Sequence, residues 1–573
     1  MTRGWMRWLV APGIAGALSL AAALSTSAEG VAKSASPVKR PNVVVIMTDD
    51  QTVESMRVMP NVSTLLGQQG VTFDSSFVSY SLCCPSRATF LTGQYAHNHG
   101  VWGNAPPTGG YDKLDHTNTL AVWLSRAGYQ TIHLGKYLNG YGRQRPTEIP
   151  PGWGEWYASV DPSTYRYYNY TLNENGRLVT YGTGAASYQT DVYARKAVDI
   201  IRRQALDPRP FFLWAAFLAP HAGGPREPDD PVGMSTPVPA PRHRNLFATQ
   251  PLPIPPSFNE ADVSDKPQYV RNRPLMTPAK IAEVQENYQQ RLESLLAVDE
   301  AVAAIVKALE STGQLNDTFI IFTSDNGFFH GEHRLPAGKV LLYEPSIRVP
   351  LIIRGPGIPR GELRSQPVAN IDLAPTIVSA ARAQPGRVMD GRSLLPFARD
   401  PLLHSSRSLL LETPTYAAIR TPRWLYAEYV SGARELYDLV RDPDELVSLH
   451  TDLRYTRIKA DLALRLARLR ACVGPVCRQA AQLRLLVRAR PGKTTRGCRG
   501  SRVLVAVSGP SARRATQTAF YLDGRLIKRD RRAPFSAFVP RRLARRGGST
   551  LEAVVTLTDL RRQTLPLRVF GCR

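Results

Sequence analysis

Cysteine is scarce in this chain, where it accounts for 6 of the 573 residues. Four cysteines lie near the end of the sequence, and their spacing favours two bridges, Cys472 with Cys477 and Cys498 with Cys572. Such bonds are typical of exported proteins, but four cysteines allow three pairings, so the connectivity stays open. Cys83 and Cys84 lie far away, and adjacent cysteines rarely bridge each other. This pair therefore requires another explanation.

Long apolar runs are equally rare. Arg3 and Arg7 precede an alanine-rich run from Trp8 to Leu24, and small residues at 26–28 offer a cleavage site. The run is somewhat short for the ~20 residues of a membrane span, and nothing comparable follows it. We expect residues 1–28 to be a cleaved signal peptide, with a membrane anchor as the alternative, and residues 29–40 to be a flexible leader. The mature protein should then be secreted, with no membrane span.

Acidic residues become few towards the end of the chain. Of the formal net charge of +25, residues 481–573 carry +18, from 22 Lys and Arg against 4 Asp and Glu. A field of this sign could hold an anionic polymer, and an ordinary solvated arginine-rich surface is the alternative. Nucleic acid is not expected, because the segment has no recognisable reading motif and export removes the usual targets.

The hydrophobic pattern predicts an α/β catalytic domain over residues 41–400. Asn42–Met47 and Thr318–Phe322 are continuous apolar runs, typical of strands buried on both faces of a parallel sheet. Helical patterns alternate with them, at Leu120–Ala127, Thr190–Arg203 and Ile281–Leu309. The proline-rich stretch 220–278 is predicted to be a lid or part of a substrate wall.

Two smaller units are predicted to follow the catalytic domain. Residues 401–480 should form an antiparallel subdomain, with short strands within Arg420–Asp438 and a helix at Tyr455–Ala471. Residues 481–573 contain six short strand-like runs separated by turn signals, which predict an immunoglobulin-like β-sandwich.

Oxygen-bearing side chains follow the two buried strands directly. Asp49 and Asp50 come after the first, and Asp325 and Asn326 after the second. Neighbouring parallel strands lie ~4.8 Å apart, so the four side chains could converge on a hard cation such as Ca²⁺ or Mg²⁺. The alternative is a pair of turn and cap residues, where Asp and Asn are common.

The segment Cys83-Cys84-Pro85-Ser86-Arg87, continued by Leu91-Thr92-Gly93, resembles the signature of the type I, formylglycine-dependent sulfatases. Gly128–Lys136 resembles the second signature of that family, and the likeness extends over about Arg40 to His450. Within the family the chain is most similar to N-acetylglucosamine-6-sulfatases, through motifs that bacterial arylsulfatases could share. The resemblance implies an alkaline-phosphatase-like fold and hydrolysis of sulfate monoesters, of a 6-O-sulfated N-acetylglucosamine type of carbohydrate or of an aryl sulfate.

The resemblance also implies the chemistry at Cys83. A formylglycine-generating enzyme would oxidise its side chain to an aldehyde before export, and the aldehyde hydrates to a diol. One hydroxyl attacks sulfur and expels the alcohol, and the other then drives release of sulfate as the aldehyde forms again. One Ca²⁺ would be held by the diol together with Asp49, Asp50, Asp325 and Asn326. It would lower the pKa of the diol.

The resemblance implies roles for four further residues. Arg87 would hold the diol, Lys136 and Lys339 would neutralise sulfate oxygens, and His221 would protonate the leaving oxygen. A solvated loop lysine is the alternative for Lys339, and a structural histidine is the alternative for His221.

A few further positions lie near these motifs. Leu138 stands where many sulfatases have a histidine, which leaves proton handling at sulfur open. His330 and His333 could reach the pocket, and Cys84 is predicted to be a packing residue.

Two rival functions stay open at this point. A phosphomonoester or phosphodiester hydrolase of the same superfamily would use a similar core, because sulfate and phosphate are both tetrahedral oxyanions. An inactive polyanion-binding protein built on a sulfatase scaffold is the second rival. The sequence favours sulfate, since one ion site with two lysines suits a monoanionic ester.

The first testable prediction concerns Cys83. The resemblance implies that the diol made from Cys83 attacks sulfur, and an unmodified side chain could not release sulfate. Cys83→Ala should therefore abolish aryl sulfate hydrolysis and leave the fold intact by circular dichroism. Cys83→Ser should at best stall as a sulfated protein, which mass spectrometry of the intact chain would detect. Wild-type turnover by Cys83→Ala would contradict the mechanism.

Overall fold

The computed structural model describes residues 40–573, apart from Asp229, Leu402, His404, Ser406 and residues 479–483, 491–501, 509–511, 513–514, 541–548, 558–561 and 570–573. The predicted signal peptide, the leader up to residue 39 and the predicted Cys498–Cys572 bridge lie outside the described residues. The other predicted bridge, Cys472–Cys477, is present. None of the helices formed by the described residues has both the length and the apolar character of a membrane span.

The strands, in chain order, are β1 (Asn42–Thr48), β2 (Val71–Phe73), β3 (Ser76–Phe77), β4 (Gln130–Gly135), β5 (Glu155–Ser159), β6 (Tyr170–Glu174), β7 (Arg177–Tyr181), β8 (Phe211–Ala216), β9 (Thr318–Ser324), β10 (Leu351–Arg354), β11 (Glu362–Arg364), β12 (Val368–Ala369), β13 (Leu409–Glu412), β14 (Tyr416–Arg420), β15 (Trp424–Tyr429), β16 (Arg434–Asp438), β17 (Arg484–Arg490), β18 (Arg502–Ser508), β19 (Ala515–Leu522), β20 (Arg525–Asp530), β21 (Ser536–Pro540), β22 (Ser549–Leu557) and β23 (Arg562–Val569). The α-helices are α1 (Cys83–Thr92), α2 (Ala96–His99), α3 (Leu120–Arg126), α4 (Gln189–Gln204), α5 (Gln268–Arg271), α6 (Pro278–Ser311), α7 (Glu344–Ile347), α8 (Leu373–Ala381), α9 (Leu395–Arg399) and α10 (Thr456–Arg470).

Ten strands form the central sheet, in the order β11-β2-β10-β9-β1-β8-β4-β5-β6-β7. The five inner strands from β9 to β5 run parallel to one another. Strands β10 and β6 pair antiparallel with β9 and β5, and β7 pairs antiparallel with β6. This confirms the predicted α/β class with a mostly parallel sheet. In the register of β1 with β9, Thr48 lies opposite Ser324, so the residues that follow these two leave the sheet at the same edge.

Helices cover both faces of the sheet. Strand β1 is accordingly apolar at every position from Val43 to Met47. Val43 and Val45 pack into a core with residues of α1, α3 and α8, and Val44 and Ile46 into a core with residues of α4 and α6. Full burial of such side chains contributes about 1.5–3 kcal/mol each relative to exposure. The result is the sandwich of the alkaline-phosphatase-like fold.

Smaller antiparallel sheets follow, as the sequence predicted. Strands β13 to β16 form a four-stranded sheet against which α10 packs. Further along, β17-β18-β21 and β20-β19-β22-β23 form two sheets that share a core of residues such as Val505 and Phe520. Strand β17 was not among the six predicted. The predicted domain boundaries, at residues 400 and 480, stay predictions.

Candidate active site

The side chains of Asp49, Asp50, Asp325 and Asn326 lie together at the carboxyl edge of the sheet. The backbone N–H of Asp50 donates to Asp325 Oδ1 over 3.2 Å, and Asn326 Nδ2 donates to Asp50 Oδ1 over 2.6 Å. All four residues are buried. The parallel register of β1 and β9 produces this convergence, since each pair follows directly on its strand.

Asp50 has a left-handed backbone, with φ of +67°, which Asp tolerates better than most residues. Its carbonyl accepts a hydrogen bond of 2.5 Å from the buried guanidinium of Arg291 on α6. Arg291 also lies over the ring of Phe328, at 3.8 Å. Sequence reasoning missed Arg291, because a single arginine within a long helical pattern carries no motif.

Cys83 is the first residue of α1 and is buried, with 1% of its surface exposed. Pro85 fits the first turn, where its missing N–H is not needed, and Gly93 ends the helix with φ of +66°. The thiol Sγ lies 3.6 Å from Asp49 Oδ1 and 3.1 Å from Lys339 Nζ. Burial, together with the charge of Asp49, raises the pKa of the Cys83 thiol to about 11. Unmodified, the side chain stays protonated near neutral pH and is a poor nucleophile.

Arg87 lies one helical turn after Cys83 and is completely buried. Its guanidinium donates to Asp325 Oδ2 over 2.8 Å and to Asp49 Oδ2 over 3.2 Å, so it joins the ends of the two strands. A third bond, of 2.6 Å, goes to the carbonyl of Lys136 after β4. The planar fork of arginine is suited to such divergent partners, which a lysine could not satisfy together.

Two lysines approach the same carboxylates. Lys136 Nζ forms an ion pair with Asp49, and Lys339 Nζ forms one with Asp50. The Lys136 ammonium also lies 4.7 Å from the ring centre of Tyr165, an aromatic contact that no sequence motif indicated. With 12% of its side chain exposed, Lys339 is not a solvated loop lysine.

Lys339 pairs with Oδ1 of Asp50, and His221 approaches the other carboxylate oxygen, with its Nε2 3.7 Å from Asp50 Oδ2. Its Nδ1 lies 2.6 Å from the carbonyl of Ala222, which implies that Nδ1 carries the proton and donates it. Burial lowers the pKa of His221 to about 4, although Asp50 and Asp49 act in the other direction. The ring is therefore neutral at pH 7 before an anionic substrate binds.

The pKa values of the three buried carboxyl groups depend on burial and on the neighbouring charges. Burial alone would raise the pKa of Asp49, but Lys136 and the neighbouring cations lower it below its ordinary value. Asp50 behaves in the same way, with Lys339 as the main cation. For Asp325 the pKa is raised, because burial and the charge of Asp49 outweigh Arg87. Two of the three carboxylates are thus held strongly in their anionic form.

The residues present fit a hard cation. Ligand atoms of Asp49, Asp50, Cys83 and His221 lie within 4.8 Å of one another. Within the part of the chain that the structure describes, Asn326 Oδ1 is buried and accepts no hydrogen bond, although its amide N–H donates to Asp50. A free amide oxygen beside anionic carboxylates is the donor set that Ca²⁺ and Mg²⁺ prefer. His221 was not predicted to lie within this group of ligand atoms.

Four other positions named in the sequence analysis are not among the gathered site residues. His330 and His333 line a separate cavity of about 500 Å³, which none of the nine predicted site residues lines. Leu138 is buried in the core, and the buried Cys84 is held through its backbone N–H, which donates to Asn104 Oδ1 over 2.9 Å. The side chain of Asn104 is a further contact of the Cys83 segment that sequence reasoning missed.

A mostly parallel sheet whose carboxyl edge carries buried carboxylates, cations and a cysteine defines a hydrolase of the alkaline-phosphatase-like class. The profile of the family described as Sulfatase matches residues 41–383, and that of N-sulphoglucosamine sulphohydrolase, C-terminal, matches residues 331–472. The chain belongs to the sulfatase family, and the protein is a sulfatase, a sulfuric ester hydrolase. The phosphoester alternative and the inactive one are not favoured.

Individual relatives agree with this assignment. The chain is 34% identical over 501 residues to the N-acetylglucosamine-6-sulfatase of Homo sapiens, a match that covers 78% of this chain and 88% of the relative. It is 36% identical over 365 residues to an extracellular sulfatase SULF-1 homolog of Drosophila melanogaster, a match that covers 62% of this chain and 31% of that relative. A solved structure described as a complex with its substrate D-glucosamine-2-N,6-O-disulfate is 25% identical, with a TM-score of 0.61, and covers 75% of this chain and 97% of that one.

The second testable prediction concerns the cation. Asp325→Ala and the milder Asp325→Asn should lower bound calcium and reduce aryl sulfate turnover by several orders of magnitude, because a bound ion would activate the nucleophile. Elemental analysis and initial rates provide the two readouts, and the exposed Glu310→Gln on α6 is the control. Full activity of exhaustively chelated, calcium-free wild type would contradict a metal role.

Proposed function

We propose that Cys83, converted to formylglycine before export by a formylglycine-generating enzyme, is the nucleophile of a calcium-dependent sulfatase. The observation that carries this proposal is the gathering of Cys83, Asp49, Asp50 and His221 within 4.8 Å at the sheet edge. The thiol stands where a hydroxyl of the hydrated aldehyde would lie. Mass spectrometry of the peptide spanning Cys83 tests the modification directly.

Asp49, Asp50, Asp325 and Asn326 would hold the calcium ion together with the modified side chain of residue 83. When bound, the ion would lower the pKa of the nucleophilic hydroxyl and polarise a sulfate oxygen. The buried, unpartnered Oδ1 of Asn326 supports this assignment. Four of the five ligand residues directly follow two adjacent strands, which favours a rigid site.

The cations would serve the sulfate group. Arg87 keeps Asp49 and Asp325 in place and would orient the nucleophile one turn before it on α1. Lys136 and Lys339 would neutralise sulfate oxygens as charge grows in the transition state. The distance of 3.1 Å from Lys339 Nζ to Cys83 Sγ supports this role, because a sulfate on residue 83 would lie beside the ammonium.

His221 would protonate the leaving oxygen. Its Nδ1 is occupied by the Ala222 carbonyl, so Nε2 is the nitrogen free to act on the substrate side. An anionic sulfate ester raises the pKa of a neighbouring imidazole, which would bring the low pKa of His221 closer to neutrality. Leu138 leaves no second histidine at the position where many sulfatases have one.

The substrate would be a sulfated carbohydrate of the 6-O-sulfated N-acetylglucosamine type, with small aryl sulfates as surrogates. The similarity over most of the chain to N-acetylglucosamine-6-sulfatase supports this, as does the fold shared with a protein solved with a glucosamine disulfate. Sulfatases described as extracellular are among the relatives, which supports the expectation of a secreted protein with a cleaved signal peptide.

An anionic polymer is the further partner that we propose, for the basic C-terminal region. Four arginines on β20 and the turn after it have exposed side chains, namely Arg525, Arg529, Arg531 and Arg532. Together with the net charge of +18 over residues 481–573, they would attract a polymeric sulfated substrate.

The third prediction tests the substrate. Wild type should release sulfate from 6-O-sulfated N-acetylglucosamine, and N-acetylglucosamine 6-phosphate should be turned over at least about 100-fold more slowly, measured as free anion by ion chromatography. Cys83→Ala from the same preparation is the blank. Efficient aryl sulfate hydrolysis without release from the sugar would make the protein a plain arylsulfatase.

The fourth prediction tests the polymer partner. Replacing Arg525, Arg529, Arg531 and Arg532 together by Ser should raise KM for a polymeric sulfated substrate several-fold at low salt and leave KM for a small aryl sulfate unchanged. The difference should shrink towards about 0.5 M salt, because screening weakens the attraction. A matched control replaces four exposed arginines of the catalytic region, Arg126, Arg202, Arg271 and Arg360. Equal KM values for variant and wild type at low salt would leave this region without a binding role.

A further inference from the structure

A cavity of about 410 Å³ lies at the edge of the four-stranded sheet of β13 to β16. The turns between β13 and β14 and between β15 and β16 form one wall, and α10 contributes Arg470. Trp102, from the segment after α2, also lines the cavity. We call this space the subdomain cavity. None of the nine predicted site residues lines it.

Two chain segments connect the subdomain cavity to the surroundings of Cys83. Trp102 is two residues before Asn104, whose side chain accepts the backbone N–H of Cys84 over 2.9 Å. Two residues span at most about 7 Å, so this wall begins about one sugar residue away from the Cys83 segment. The wall at Trp102 therefore lies close in the chain to a residue that contacts the Cys83 segment.

The second connection runs through Tyr416, which lines the cavity from β14. Its hydroxyl donates to the carbonyl of Val340 over 2.7 Å, and the N–H of Val340 donates to the carbonyl of Ser81 over 3.1 Å. Val340 directly follows Lys339, whose ammonium lies 3.1 Å from Cys83 Sγ. The part of the cavity lined by Tyr416 is thus held against the loop that carries Lys339.

The lining of the cavity combines aromatic rings with guanidinium groups. Trp102 and Tyr429 are partly exposed and line the cavity. The exposed Arg434 and Arg470 form no ion pair or side-chain hydrogen bond with any residue that the structure describes. Aromatic faces suit the apolar face of a sugar ring, and free guanidinium groups suit carboxylate or sulfate.

The acidic residues of the lining already have donors. Glu412 lies 2.9 Å from His97 Nδ1, and Glu428 accepts the hydroxyl of Tyr426 over 2.9 Å. Burial would lower the pKa of His97, but Glu412 raises it above its ordinary value, so the histidine offsets part of the negative charge. The neutral Tyr426 hydroxyl leaves the charge of Glu428 in place, opposite Arg434 across the two strands. Two guanidinium groups without an ion pair in the described part of the chain remain to face an anionic ligand.

We propose that the subdomain cavity binds the sugar residue adjoining the sulfated one, with its ring against Trp102 and its anionic group held by Arg434 and Arg470. The ligand class is an anionic sugar, carrying a carboxylate or a second sulfate. This inference rests on the proposed carbohydrate substrate. It makes the antiparallel subdomain a specificity element of the sulfatase.

The experiment compares three substrates at fixed ionic strength, with the full chain containing formylglycine. They are 6-O-sulfated N-acetylglucosamine and two disaccharides in which it is linked to a uronic acid or to the matching neutral hexose. Each kcat/KM is divided by the same variant's value on the monosaccharide, which removes any general loss of activity. Wild type should prefer the uronic acid disaccharide over the neutral one by about tenfold, the size expected for charge-assisted hydrogen bonds.

The double variant Arg434→Ala/Arg470→Ala should lose this preference, so that the ratio between the disaccharides falls to about one. Arg441→Ala/Arg468→Ala is the matched control, because both side chains are exposed and Arg468 lies on α10 two residues before Arg470, away from the cavity. The control should keep the wild-type ratio. Trp102→Leu should lower the relative rates on both disaccharides about fivefold, since the ring contact does not depend on charge.

Three outcomes would overturn the inference. Wild type could show no preference between the two disaccharides, or the double variant could keep the wild-type preference. A third outcome, hydrolysis of aryl sulfate but of no sulfated sugar by wild type, would refute the proposed substrate itself. The first two leave that substrate in place, so the two failures can be told apart. Repeating the series with a second sulfate in place of the carboxylate identifies which anionic group the arginines prefer.

Discussion

The mutual neutralisation of buried charges at the carboxyl edge of the sheet is the interaction on which the rest of the site depends. Three carboxylates and three cations lie there with little or no exposure to water, namely Asp49, Asp50, Asp325, Arg87, Lys136 and Lys339. Loss of one partner from a buried pair costs about 3–5 kcal/mol, because the other charge stays buried and uncompensated. Each charge is therefore tolerable only while the elements that carry its partners stay in place.

This constraint explains why such distant parts of the chain meet at one point. Strands β1 and β9 bring the carboxylates together by their register, and α1 begins beside them so that Arg87 can reach both strand ends. The end of β4 supplies Lys136, and the loop after α6 and β9 supplies Lys339. Arg291 holds the left-handed backbone of Asp50 by donating a hydrogen bond to its carbonyl. The arrangement is a balance of charges rather than an apolar core, and a polar cluster of this kind is suited to chemistry more than to stability.

Much of this could be predicted from the sequence, and the limits have physical reasons. Apolar runs such as Val43–Met47 identify buried strands, and the Cys83 signature identifies the proposed nucleophile, because both signals are local. Arg291 and Tyr165 could not be found, since their contacts join residues far apart in the chain and no motif marks them. Closeness along the chain also gave a wrong expectation. His330 follows Asn326 closely, but the irregular segment after Gly327 places it in the wall of another cavity.

The charge cluster can recognise a sulfate group, but it cannot by itself select the molecule that carries it. Its cations contact carboxylates and the Cys83 side chain, and in the proposed function they serve only the sulfate group. Discrimination between a sugar and an aryl group must come from surfaces that extend beyond the sulfate. The antiparallel subdomain is placed for this task, because Tyr416 binds the chain beside Lys339 while neighbouring strands carry Arg434. Such a division lets the sulfate site stay constant while turns at its border change the range of substrates, as loops on a rigid scaffold commonly do.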